Sequence, residues 1–165
     1  MSLLPLLVDV GTTLEESSGL LQYLLVFVFA AIPIVEILVV IPIAIGLGLD
    51  PLATGLFAFA GNILSVYALI VFYRHIARWL EQRRGESDDS SDRYARARDL
   101  WDRYGVPGLA IASPVLTGVH IAALVALLAG SRTRAVAGWM TAGILAWTVA
   151  LVAASAYGVS LLGLA

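Results

Sequence analysis

The chain has no cysteine, no lysine and only two histidines, His75 and His120. Without thiols there can be no disulfide, thiolate metal centre or cysteine nucleophile. Two imidazoles are too few for a histidine cage, so neither a metal nor another cofactor is expected. No nucleotide-cradling glycine loop is present, and Ser113 has no base and acid at a usable spacing; this excludes ATP-driven work and hydrolysis by any recognisable motif and reads as a non-enzyme. Charge is scarce as well. Glu36 is the only acidic side chain between Leu20 and Leu49.

Apolar residues fill the space that charge leaves. They make up 60% of the 165 residues, with a mean hydropathy of +0.91, which points to a polytopic membrane protein rather than a soluble one. Four apolar blocks stand out: Leu20 to Leu49, Leu52 to Tyr73, Val106 to Gly130 and Ala135 to Leu164. The short apolar N-terminus, Met1 to Val8, has no basic residue before it and is followed by Asp9, Glu15 and Glu16, so a cleaved secretory signal is not expected.

The ten arginines orient these blocks. Eight lie between Arg74 and Arg103 and two, Arg132 and Arg134, precede the last block, which assigns both regions to the cytoplasm by the positive-inside tendency. Leu52 to Tyr73 is long enough to cross once, at about 1.5 Å per residue against a core of about 30 Å. The block from Val106 to Gly130 begins and ends on the same side but is too short for two passes. A re-entrant hairpin satisfies both conditions, with Pro107, Gly108, Pro114 and Gly118 as places to break.

The same parity argument turns Leu20 to Leu49 into a second hairpin, split near Pro33 and entering from the opposite face. The expectation is an all-α integral membrane protein forming a single domain. It comprises an N-terminal segment (1–19), a first hairpin and spanning helix (20–73), a cytoplasmic connector (74–105) and a second hairpin and spanning helix (106–165), arranged as an inverted repeat in the plasma membrane. Gly55 and Gly61 loosely parallel Gly138 and Gly143. A set of four to six ordinary kinked helices is the competing layout.

In the connector, Arg74, Arg78, Arg83 and Arg84 with Trp79 and Leu80 read as interfacial anchors, and 85–91 as a polar linker. From Arg93 to Tyr104, the residues Tyr94, Ala97, Trp101 and Tyr104 share a helical face. Asp92 with Arg96, Arg98 with Asp102, and Asp99 with Arg103 pair at spacings of four. Seven acidic residues between Glu81 and Asp102 offset the arginines, so nucleic acid is not an expected partner. The expected partners are the lipid bilayer and a small-molecule or lipid substrate; homo-oligomerisation is left open.

Within the membrane, an ionisable group costs roughly 2.5–3.5 kcal/mol even on gentle insertion scales and usually lines a pathway. Glu36 is therefore the first candidate for a proton or substrate site, against the alternative of a carboxyl that merely bonds a carbonyl freed by Pro33 or Pro42. His120 is its candidate partner should the hairpins meet at mid-depth, or else an imidazole satisfied locally by Thr117 or a carbonyl. Asn62 is a polar support or a packing residue, and Thr117 a hydroxyl available to a ligand or to a turn. Pro33, Pro42, Pro114 and Gly118 are the expected helix breaks.

The run from Glu36 through Ile41-Pro42, Gly46, Gly48 and Asp50-Pro51 to Gly61-Asn62 resembles the small multidrug export protein family, whose layout is similar to that of the DedA-like membrane proteins. The resemblance covers most of the chain from Leu20 onward. Leu38 stands where the family commonly places an arginine, and the second family signature survives only as Pro114 to His120. The resemblance implies export of small organic molecules, and Glu36 together with the absence of a nucleotide loop makes a proton gradient the expected drive. DedA-like relatives imply the alternative of flipping or scrambling a lipid or polyprenyl phosphate, and a non-transporting scaffold docking a partner on its connector helix is the third reading.

Overall fold

The structure is a computed structural model and describes residues 3–33, 35–83 and 88–161. Among these there are seven helices and no strand: α1 (Leu3–Glu15), α2 (Leu20–Ala31), α3 (Glu36–Gly46), α4 (Pro51–Arg83), α5 (Asp88–Leu116), α6 (Val119–Leu128) and α7 (Thr133–Leu161). Two stretches are long and apolar enough to span a bilayer, Pro51–Tyr73 and Thr133–Leu161. α2, α3 and α6, at 12, 11 and 10 residues, are too short to do so singly, reaching only about 15–18 Å at 1.5 Å per residue.

The chain divides into two compact units. The first holds residues up to Leu64 together with Leu145 onward, and thus contains α1, the α2–α3 hairpin, the start of α4 and the end of α7. Its packing centres on α3, whose Ile37, Val40, Ile41 and Ala44 are fully buried, along with Val10 and Leu14 of α1 and Val26 and Ala30 of α2. The second unit, Ser65–Ile144, contains the rest of α4, α5 and α6, and the start of α7. Here α6 is the core element, buried from Val119 to Leu127 apart from Ile121.

The local backbone of the two units recurs with a spacing of 82 residues. At the end of α3, Gly48 (φ 88°) closes a Schellman cap in which its amide donates to the Ile45 carbonyl and that of Leu49 to Ala44. At the end of α6, Gly130 (φ 88°) does the same, donating to Leu127 while Ser131 donates to Ala126. The next helix then starts at Pro51 in one unit and Thr133 in the other, each with an amide of its second turn donating back, Thr54 to Asp50 and Val136 to Arg132. Gly61 and Gly143 keep the same spacing. Gly55 and Gly138, the other pair suggested by the sequence, are one residue out of register.

Several expectations need correction. Pro42 does not break a helix; it lies inside α3, and Pro114 likewise lies inside α5. A proline removes a single amide donor, and a helix continues when packing compensates for that bond. The actual interruptions are the turn around Pro33 and that at Thr117–Gly118, where Gly118 adopts φ 83°. Pro107 also lies inside α5, and the non-helical residue that kinks this helix is Gly105 (φ 64°). The N-terminal segment forms a helix, α1, that short-range pattern did not single out. The polar linker expected over 85–91 is shorter than that, because α5 already begins at Asp88, leaving 88–91 helical. Residues 84–87, with the anchor Arg84, lie outside the described residues, and the roles suggested for Arg74, Arg78, Trp79, Leu80, Arg83, Asp92 and Tyr94 lie outside the residues whose side chains are described.

Candidate functional site

Residues approaching Glu36 form a tight turn rather than a continuous helix. α2 ends at Ala31, the Ile32 amide donates to the Phe29 carbonyl, and Pro33 has no amide to carry the ladder forward. The amides of Val35 and Glu36 both return to the Ile32 carbonyl, at 3.2 and 3.1 Å. Glu36 then opens α3 with φ 45°, the only non-glycine residue with a positive φ among the described residues. Its side chain is buried, with 4% of the residue exposed. A left-handed backbone costs a β-carbon-bearing residue roughly 1–3 kcal/mol, and such residues persist where the surroundings over-determine them.

Asn62 completes this turn from α4. Its amide nitrogen donates to the Ala30 carbonyl at 3.2 Å, one of the terminal acceptors that α2 leaves open as it stops. The neighbouring Gly61 faces the Phe27 carbonyl so closely that a β-carbon there would overlap it. The Gly-Asn pair thus has a physical division of labour: glycine admits the helix, and asparagine caps the carbonyl that the interruption frees.

The second unit builds its turn differently. The amides of Thr117 and Gly118 both donate to the Ser113 carbonyl, at 3.0 and 2.6 Å, before α6 begins at Val119. Gly143 of α7 faces the Ala110 carbonyl as closely as Gly61 faces Phe27. Pro114 cannot donate to Ala110 by the helical i to i−4 pattern, so this is a carbonyl without its usual helical partner. His120 is buried, and its Nε2 lies 2.7 Å from the Ser65 hydroxyl of α4. Thr117 is buried on the same turn, its hydroxyl donating to the Gly118 carbonyl at 3.4 Å, and the Ser113 hydroxyl is buried without a hydrogen-bond partner among the described residues.

The predicted residues therefore fall into two groups. Glu36, Pro33 and Asn62 shape the turn of the first unit, whereas Thr117, Gly118 and His120 belong to that of the second. Sequence reasoning missed Ser65 and weighed Ser113 only as a nucleophile. Ser65 sits 55 positions from the histidine it bonds, so no local pattern signals it.

Residues 36–150, well over half of the chain, match the family described as "Putative small multi-drug export protein". The chain belongs to this family. The match begins at Glu36 and includes the Gly61-Asn62 pair, both hairpin exits and the second turn. No curated protein and no solved structure matches the chain. With its two apolar spans, this member of the family is an all-α membrane protein.

Proposed function

We propose that this chain is a multi-pass plasma-membrane exporter of a small molecule, driven by a proton gradient, with Glu36 as the proton-carrying group. The observation that carries the reading is the conformation of Glu36: a carboxyl-bearing residue is held buried on a backbone that glycine would occupy without strain. Retaining a carboxyl at that cost, in a segment where charge is expensive, favours a role for the side chain itself. The family description supports export as the class of activity.

In this reading the 82-residue recurrence makes the two hairpins re-entrant halves of an inverted repeat, and the arginine-bearing connector lies in the cytoplasm. Asn62 supports the first turn, while His120, held by Ser65, supplies a polar station in the second unit together with Thr117. Polar atoms at interrupted helices are what a substrate crossing a bilayer requires. The activity needs no cofactor and involves no covalent step.

Proteoliposomes test the proposal. With a pH gradient imposed, substrate candidates should evoke a proton flux through the wild-type protein that disappears in Glu36→Gln. Substrate movement that proceeds unchanged in Glu36→Gln would overturn the proton role. Translocation of a labelled phospholipid indifferent to the gradient would replace export by lipid flipping.

A further inference from the structure

A shallow, largely open groove of about 320 Å³ runs along the first turns of α7, formed by one face of that helix with Arg134, Ala135, Gly138, Trp139 and Ala142. It lies on a helix that spans by length and composition yet has only 11% of its apolar window buried, so much of its surface is left for something else to cover. Arg134 is the second residue of α7, at the end of the span where a headgroup region begins, and it is exposed and makes no ion pair among the described residues. From there to Ala142 the groove extends about 12 Å along the helix axis, toward the bilayer interior. Its walls below the arginine are methyl, backbone and indole.

We propose that this groove is a phospholipid site, in which an acyl chain lies across Gly138 and Ala142 beside Trp139 while the Arg134 guanidinium holds the lipid phosphate. The charge is complementary to an anionic headgroup, and an arginine recognises a phosphate through two parallel N–H donors. Trp139 completes an interfacial pattern of aromatic and basic side chains. This inference rests on the membrane placement of α7 and not on the export reading.

The first unit supplies an internal control. Its own groove, of about 350 Å³, is lined by Leu56, Phe57 and Ala60. These are the residues 82 positions before Gly138, Trp139 and Ala142. There, however, the remaining walls are Leu24 and Phe27, and no cation is present. The recurring backbone accounts for a groove at both places, and the arginine distinguishes one of them. Both grooves should accept an acyl chain, and only the one on α7 should select its headgroup.

The full chain reconstituted in phosphatidylcholine vesicles doped with phosphatidylglycerol, each lipid spin-labelled in turn on its acyl chain, tests the assignment. Phosphatidylglycerol should show the larger motionally restricted fraction. Arg134→Gln should lower that preference about fivefold, the usual effect of one basic side chain at an anionic lipid surface, and Arg134→Lys should keep most of it. Gly138→Leu should remove the phosphatidylglycerol-selective fraction without unfolding the protein, because a β-carbon at Gly138 meets nothing within 4 Å. Ala60→Leu should reduce restricted lipid of both kinds equally. An unchanged preference in Arg134→Gln would overturn the proposal. So would a Gly138→Leu variant that converts a dimer to a monomer on size exclusion, because a second copy would then be the occupant. Glu36→Gln should leave the lipid preference intact whatever it does to proton flux.

Discussion

The two hairpins share a backbone plan and differ in chemistry. Where the first places Glu36 on a left-handed backbone, the second places Gly118, 82 residues later. Where the first caps a freed carbonyl with Asn62, the residue at the same spacing is Ile144. His120 corresponds to Leu38, and Ser65, which bonds it, to Trp147. The shared features are all devices of closure: Schellman glycines, helix starts, and the close-approach glycines Gly61 and Gly143. The buried carboxyl, amide and imidazole, of Glu36, Asn62 and His120, each appear in one copy only. The fold is thus specified twice, and the candidate chemistry resides in the departures from equivalence.

The most disruptive way to test this comparison is to crowd the shared glycines. Gly61→Ala and Gly143→Ala each drive a β-carbon into a backbone carbonyl, of Phe27 and Ala110 respectively. Overpacking of that kind costs about 1–3 kcal/mol, and similar losses in the two variants, read by denaturant unfolding in micelles, would support equivalence. A loss at only one site would break it.

Next in size is the left-handed position. Gly118→Ala should lose about 1–3 kcal/mol, because φ 83° suits only glycine. At position 36 the order should invert the usual helical preference. Glu36→Gly should be more stable than Glu36→Ala by about 1 kcal/mol, and both should abolish the proposed proton flux. Thermal unfolding of the pair reads this directly, and a more stable alanine variant would mean that the backbone there relaxes when the carboxyl is removed.

Exchanging the cap for its counterpart is a milder test. Asn62→Ile installs the residue found 82 positions later and leaves the Ala30 carbonyl without that donor. Hydrogen bonds between membrane helices average about 0.6 kcal/mol and reach about 1.7, so a loss in that range is expected. Infrared spectroscopy of an isotope-labelled Ala30 carbonyl should show a shift to higher frequency. Smallest of all should be Asp102→Asn. The Arg98–Asp102 pair at 3.5 Å is solvent-exposed, and an i, i+4 pair of this kind contributes a few tenths of a kcal/mol at most, a change that salt titration of the wild type should reproduce.

Much of the architecture was legible because membrane thickness acts on length. The sequence pattern splits Leu20 to Leu49 near Pro33, and the observed interruption is there. The connector pairs Arg98–Asp102 and Asp99–Arg103 also form as their spacing predicts. Trp101 is half-buried and donates to Ser131 at 3.0 Å, but Tyr104, assigned to the same face, is 64% exposed because the chain kinks at Gly105 immediately after it. What remained hidden was conformational or distant. No composition signals that Glu36 has a positive φ, that Pro42 is absorbed by its helix, or that Ser65 reaches an imidazole in α6. The 82-residue recurrence was faint in the sequence for a related reason: closure needs glycine at only a few positions, and most residues between them differ.

The paired Schellman caps carry a mechanical consequence. Two nested hydrogen bonds close the end of α3 at Gly48, and two more close the end of α6 at Gly130. Each cap fixes the direction in which the chain leaves its short helix, and unwinding that helix end would break both bonds. The exits of α3 and α6 are thus closed by backbone bonds alone, whatever the side chains, while at their entries the two units differ in the residue that takes a positive φ, Glu36 in one and Gly118 in the other.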